Sequence, residues 1–261
     1  MTSAPSPLHL QAKILCTLCW KLAQCGAETR LIMQCGQIMS KALGVPEDNL
    51  ELGFDRTGVH IKVSADGQSV HEYRAISHFG INMFAVSALY QLCLQVEEGH
   101  GGSLDAIYQR IKDIKLKTYP LPLITLAAAG AAACFTLLNG GTAAAALCAA
   151  IGGLSLMLCR LLMLKRRYFE NFAVMCAAFV GGLLAALCAH LLTLSHTQLS
   201  LSLMATSLLL VPGFPLMNGF LDIFKGYLAT GIIRLCYGLT IIFAASIGLM
   251  GAILVSSNLG L

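Results

Sequence analysis

Charge is what this chain has least of. Asp, Glu, Lys and Arg make up only 11% of its 261 residues, where a soluble domain carries about 25%. The shortage is uneven. Residues 1–117 hold 11 Lys/Arg and 11 Asp/Glu, whereas residues 118–261 hold six basic residues (Arg160, Lys165, Arg166, Arg167, Lys225, Arg234) and two acids, Glu170 and Asp222. Lipid is the natural solvent for so apolar a stretch. A wholly soluble enzyme is excluded. So is a nucleic-acid binder, because the net charge of +4 sits between apolar runs. Catalytic signatures are missing too: there is no P-loop, no Gly-x-Ser-x-Gly and no His-Glu-x-x-His. Residues 1–7 show no basic region, and His9, Gln11 and Lys13 interrupt any apolar core behind them. No secretory signal is read there, and the front of the chain is expected to stay where it is made.

Eleven cysteines are present, six of them (134, 148, 159, 176, 188 and 236) among apolar neighbours, where a free thiol behaves as a small hydrophobe. Cys16-x-x-Cys19 has metal or redox spacing. It lies inside a helical pattern without a second Cys or His pair, so packing is the expectation and no metal or cofactor is assigned. A reducing compartment suits this cysteine usage.

The first 118 residues read as one α+β domain. Leu8, Leu15, Leu18 and Leu22 share a helical face, and Leu31, Cys35, Ile38 and Ala42 repeat the pattern before Gly44-Val45-Pro46 stops it. The period then changes to two, with Leu50, Leu52 and Phe54, then Val59, Ile61 and Val63. Asp66-Gly67 is a turn signal, and a third strand is expected over 69–76. Helical spacing returns with Ile81, Phe84, Ala88, Leu92 and Val96, and again with Leu104, Ile107, Ile111 and Ile114. Helix–helix–strands–helix–helix implies a small antiparallel sheet. His60, His71 and His78 have no shared metal spacing and read as half-exposed strand residues.

Residues 119–261 read as five transmembrane helices, about 121–138, 142–163, 171–193, 199–221 and 235–256, each near the 20 or so apolar residues a span needs. Lys112, Lys115 and Lys117 precede the first. Arg160 and Lys165-Arg166-Arg167 lie between the second and third, and Lys225 and Arg234 between the fourth and fifth. Asn139-Gly140-Gly141 and residues 190–198, at the other ends, contain no Lys or Arg. Positive charge on one side places the N-terminus in the cytoplasm and the C-terminus outside. Runs of Ala at 127–133 and 143–150, with Gly181-Gly182, allow close helix packing, or sliding.

The fourth span carries the most specific signal. Val211-Pro212-Gly213-Phe214-Pro215 interrupts it, and two prolines remove donors and clash with preceding carbonyls. Residues 199–225 as one helix would run about 40 Å, beyond a core of about 30 Å, so a break with reorientation is expected. Amides freed at the start of a second half-helix form an anion site inside protein or a wet cavity. Asp222 follows, with Asn218 a turn before it and Lys225 three residues after. It reads either as a proton-coupling group or as one half of an interfacial Asp222–Lys225 pair.

The stretch from Leu208 through Pro212-Gly213-Phe214-Pro215 to Asp222-Ile223-Phe224-Lys225-Gly226 resembles the threonine/serine exporter family, specifically the large subunit of its two-component branch, which includes a bacterial succinate exporter. Gly80-Ile81-Asn82-Met83, Leu138-Asn139-Gly140-Gly141 and Thr230-Gly231 before Arg234 support the resemblance, while Phe79 and Phe84 depart from its pattern. The resemblance implies export of small carboxylate metabolites across a bacterial inner membrane, with a separately encoded small five-span partner subunit. Five spans in an odd bundle suit completion by a partner of opposite orientation.

The leading expectation is therefore a secondary exporter component and no enzyme. The substrate is succinate or a similar dicarboxylate, with threonine or serine as the alternative. It would meet Pro212, Gly213 and Pro215, with Asn139, Gly140, Gly141, Asn218 and Asp222 as further contacts. Lys225 and Arg234 would draw anions to the cytoplasmic mouth. A proton or substrate gradient would drive it. A membrane protease would need two facing acids or a nucleophile turn that Gly153-Leu154-Ser155-Leu156-Met157 lacks, and a membrane-anchored sensor would need only one span.

Overall fold

The computed structural model describes residues 6–55, 57–65, 67–76, 80–116 and 118–259. Asp66, His78, Phe79 and Lys117, singled out above, lie outside the described residues, as do residues 1–5. The chain forms two compact units, residues 1–117 with 214–235, and residues 118–213 with 236–261. The first unit thus contains residues 214–235 beyond the segment the sequence assigns to it.

In the first unit α1 (Pro7–Gln24) and α2 (Thr29–Ala42) precede three strands, β1 (Leu50–Phe54), β2 (Gly58–Ala65) and β3 (Gln68–Ala75), followed by α3 (Met83–Glu97) and α4 (Leu104–Asp113). The sheet is antiparallel in the order β1-β2-β3, with Leu50 opposite Val63 and Gly58 opposite Ala75. α1 is the central helix and packs on α2, α4 and the sheet. Its Leu15, Leu18 and Leu22 are fully buried, and Val59, Ile61 and Val63 of β2 share their core. Lys21 donates from Nζ to the carbonyls of Ile111 (2.7 Å) and Lys112 (3.0 Å), satisfying orphan acceptors in the last turn of α4. Cys16 and Cys19 are buried in this core, and burial pushes the Cys16 thiol up to about 11.

Two helices sit in a different phase from the one the apolar spacing implies. On α2 the buried stripe is Ile32, Cys35, Gly36 and Met39, while Leu31, Ile38 and Ala42 are half-buried. Gly36 sets this phase: a Cβ there would stand 2.4 Å from Leu52 Cδ1, so β1 lies against a face that carries no side chain at that point. On α3 the buried set is Ala85, Val86, Leu89, Leu92, Cys93 and Val96, whereas Ile81 and Phe84 are exposed. Asn82 caps this helix by accepting from Ala85 N at 3.0 Å, so Ile81 falls outside it.

The later helices are α5 (Leu121–Leu138), α6 (Ala143–Lys165), α7 (Glu170–Leu191), α8 (His196–Leu208), α9 (Gly213–Phe224) and α10 (Leu228–Asn258). α5, α6, α7 and α10 are each long and apolar enough to cross a membrane. α8 and α9 pass the same test together, bent by 63° at their break, and make a fifth span if taken as one. The chain is a multi-pass helical membrane protein with a small three-stranded sheet. α10 begins at Leu228, well before the expected 235, and so carries Arg234 within a helix.

Within the second unit α6 packs on α5, α7 and α8. Small residues make these crossings close. A Cβ on Gly152 would meet the Gly181 carbonyl at 3.0 Å, and one on Gly181 would meet the Gly152 carbonyl at 2.9 Å. Against α10 the approach is closer still, since a Cβ on Gly248 would lie 2.1 Å from the Met175 carbonyl oxygen. Backbones that near each other gain dispersion contact where lipid supplies no hydrophobic drive. Arg160 and Tyr237 converge on Glu170, with Arg160 Nη2 3.0 Å from Glu170 Oε1 and the Tyr237 hydroxyl donating to Oε2.

Candidate functional site

The turn between α1 and α2 is the focus of the first unit. α1 ends in a Schellman turn: Gly26 takes φ +85°, its N–H donates to Ala23 O and that of Ala27 donates to Leu22 O. A side chain at Gly26 would also strike the Gly80 carbonyl, 2.8 Å from its Cβ. Gly80 N donates to Gln24 O and Asn82 N to Cys25 O, so the Gly80-Ile81-Asn82 run holds one side of the turn through its backbone.

α9 and the start of α10 hold the other side. They form a hairpin whose joint, Gly226 at φ +89°, is a second Schellman turn, closed by Tyr227 N donating to Asp222 O at 2.8 Å. Gly219 and Gly231 bring the two helices together: a Cβ on Gly231 would lie 2.6 Å from the Gly219 carbonyl. One face of α9 then presents Asn218, Asp222 and Lys225, and α10 presents Arg234.

Each of these four side chains is engaged. Asn218 Nδ2 donates to Gly26 O at 3.0 Å. Arg234 donates from Nη2 to Ala27 O at 3.0 Å, and its Nη1 lies 3.0 Å from Asp222 Oδ2. Asp222 accepts from Thr29 N (3.2 Å, Oδ1) and Thr29 Oγ1 (2.9 Å, Oδ2). Lys225 Nζ meets both carboxylate oxygens of Glu28, at 2.7 and 2.8 Å. Asp222 is 0% exposed and Arg234 7%, and the guanidinium also stands 5.7 Å from the centre of the Phe54 ring, in cation–π range.

The electrostatics follow the helix ends. The Ala27 carbonyl, just past the C-terminus of α1, faces the Arg234 cation, and the first amide of α2 faces the Asp222 anion, each in the sense that a helix dipole favours. Glu28, the N-cap of α2, supplies no capping hydrogen bond of its own, and Asp222 stands in its place. Two cations and two anions meet here, so the cluster is close to neutral. The Asp222–Lys225 pair considered from the sequence does not form: Asp222 pairs with Arg234, and Lys225 with Glu28. A helix places residues three apart only roughly on one face, and Thr29 with Arg234 offers the carboxylate three donors at once.

The other singled-out residues serve turns. Asn139-Gly140-Gly141 ends α5 as a Schellman turn in the second unit, with Gly140 at φ +83° and Gly141 N donating to Thr136 O at 2.9 Å. Asn139 Nδ2 donates back to Phe135 O at 2.8 Å. Pro212 lies in the break after α8, and Gly213 and Pro215 fall in the first turn of α9, where Gly213 N donates to Val211 O at 2.9 Å. Gly26, Ala27, Glu28 and Thr29 are the residues that sequence reasoning missed. Their partners lie 192 to 207 positions away, and no local spacing marks them.

Comparison with known proteins agrees with the exporter resemblance. A family model described as "Putative threonine/serine exporter" matches residues 13–255. The "Probable succinate transporter subunit YjjP" of Escherichia coli (strain K12) is 29% identical over 240 residues, which cover 92% of this chain and 92% of that protein. Its namesake from Klebsiella aerogenes is 30% identical over 239 residues, 91% of each chain. No solved structure matches.

Proposed function

The chain belongs to the threonine/serine exporter family, and from that premise we propose that it is one subunit of a secondary-active exporter of small carboxylates, with succinate or a similar dicarboxylate as substrate. It acts as a transporter and not as an enzyme. It lies in a bacterial inner membrane with its N-terminus in the cytoplasm and its C-terminus outside, in keeping with the one-sided distribution of Lys and Arg. A separate small five-span subunit completes the pathway, which accords with the word "subunit" in the names of both relatives.

The observation that carries this reading is the 63° bend between α8 and α9. A crossing broken there supplies first-turn amides at Phe214 and Leu216, while Gly213 N already donates to Val211 O and Pro215 contributes none. Carboxylate binding at such a half-helix start needs no cationic side chain. The substrate contacts are accordingly the segment Pro212-Gly213-Phe214-Pro215, with Asn139, Gly140 and Gly141 of the α5 turn as further candidates. Asn218, Asp222, Lys225 and Arg234 position α9 by gripping the α1–α2 turn. A proton or substrate gradient drives the cycle.

Threonine or serine is the second reading, favoured by the description of the family model. An amino acid needs an acceptor for its ammonium group. Asp222 already holds Arg234 and two donors of Thr29, which tips the choice toward the dicarboxylate. Efflux of radiolabelled succinate and threonine from cells with and without both subunits tests the proposal. Succinate efflux lost on deletion and restored by both genes together is expected. Efflux of both solutes unchanged by deletion would end the exporter reading.

A further inference from the structure

α7 and α10 border an open groove of about 840 Å³ in the second unit, lined chiefly by Phe172, Met175, Leu239, Phe243 and Ile247, with Asn171 among its lining residues. On α10 the lining runs from Leu239 to Ile247, a length of about 12 Å at 1.5 Å per residue. One end lies beside the start of α7. Immediately before that start come Lys165, Arg166, Arg167, Tyr168 and Phe169, all exposed. None of the three cations takes part in a salt bridge among the described residues. Arg167 is at most about 14 Å of extended chain from Asn171.

This combination differs from an ordinary lipid-facing surface. Tyr168 is an aromatic residue of the kind that settles at headgroup depth, its ring centre stands 6.0 Å from that of Phe172 in the groove wall, and Phe169 beside it is 87% exposed. Three unpaired cations at that depth attract phosphate. The groove then continues from the same level into the apolar part of α10, with walls of aromatic and aliphatic side chains.

We propose that this groove is a binding site for an anionic phospholipid. Lys165, Arg166 and Arg167 bind its phosphate, Asn171 meets the ester region, and one acyl chain lies between Phe172 and Phe243. The proposal rests on the membrane setting of these helices and not on which solute is carried. The charge of the three cations singles out a lipid as occupant over a helix of another protein, which would match the apolar walls but leave the cations unanswered.

Native mass spectrometry of the full chain, purified with its partner subunit, tests this with phosphatidylglycerol and phosphatidylcholine added in equal amounts. The wild-type chain is expected to retain phosphatidylglycerol at least about tenfold over phosphatidylcholine, since each surface cation adds to the attraction for an anionic headgroup. Replacing Lys165, Arg166 and Arg167 together by Gln removes the preference, and Ser246→Trp, which fills the groove, lowers retention of both lipids. Helix content measured alongside confirms that both variants fold. Equal retention of the two lipids by the wild-type chain would overturn the proposal, as would an unchanged preference in the triple variant. Loss of the partner subunit in Ser246→Trp with lipid retention intact would overturn it too, and would assign the groove to protein.

Discussion

Arg234 Nη1 lies 3.0 Å from Asp222 Oδ2, and the two residues close a ring around the α1–α2 turn: Arg234 binds the Ala27 carbonyl while Asp222 binds both donors of Thr29. One ion pair thereby fixes the start of α10, the end of α9 and the entry to α2. Motion of α9 in this arrangement is shared by the α1–α2 turn. α9 is therefore mechanically part of the first unit.

Removing one partner of this pair is expected to destabilise the chain strongly. Asp222→Asn or Arg234→Met leaves a buried, uncompensated charge at a cost of about 3–5 kcal/mol. Lys225→Ala, which breaks the more exposed pair with Glu28, is expected to cost about 0–1 kcal/mol. The double variant Asp222→Asn/Arg234→Met recovers part of the loss, because neither charge is then stranded. Thermal unfolding of the detergent-purified variants checks this. Strictly additive losses would argue against a coupled pair.

Gly248→Val is expected to abolish the close α7–α10 crossing, because even a Cβ lies 2.1 Å from the Met175 carbonyl oxygen and backbone cannot yield cheaply. Overpacking of this kind costs about 1–3 kcal/mol or more. Gly251→Ala is the control: its nearest neighbour is the Phe179 ring edge at 3.3 Å, which can give way. A cysteine introduced at Ile247, in a chain whose exposed Cys134 and Cys236 are replaced by Ser, and labelled with a polarity-sensitive dye reads the displacement, with a shift in Gly248→Val and none in Gly251→Ala.

The β1–β2 turn gives a pH-dependent signature. Burial raises the Asp55 carboxyl, but hydrogen bonds from the Thr57 hydroxyl and from Gly58 and Thr57 N–H outweigh it and hold the group below its ordinary 3.8. A lowered folded value means that the carboxylate stabilises the fold above pH 3.8 and that this contribution is lost as pH falls through the folded value. Asp55→Ala is expected to cost about 1 kcal/mol at neutral pH, as for a lost cap. Unfolding midpoints of the two proteins should converge below pH 3.8, and a gap that stays constant down to pH 2 would contradict the assignment.

Much of the fold is legible in the letters. Period two marks β1 and β2, a turn signal marks the start of β3, and the apolar runs mark α5, α6, α7 and α10, because burial and lipid both act on local patterns. The break at Val211-Pro212 is legible for the same reason, since proline acts on its own neighbours. The phase of α2 is not, because Gly36 contributes by having no side chain and a count of large apolar residues passes over it. Nor is the partner of Asp222. Lys225 is near in sequence, but Thr29 and Arg234 are near in space, and only the chain's return to the α1–α2 turn decides between them. Asn139-Gly140-Gly141 stood out for its composition, and the left-handed turn at Gly140 accounts for that composition.

The broken α8–α9 crossing bears most directly on transport. Counterflow of radiolabelled succinate into proteoliposomes holding both subunits should compare the wild-type chain with Pro212→Ala/Pro215→Ala, in which α8 and α9 can join as one straight helix. Binding at the half-helix start requires rapid exchange by the wild-type chain and at least about a tenfold loss in the variant, the scale of one lost charge-assisted hydrogen bond. Exchange at the wild-type rate through the joined helix would contradict it.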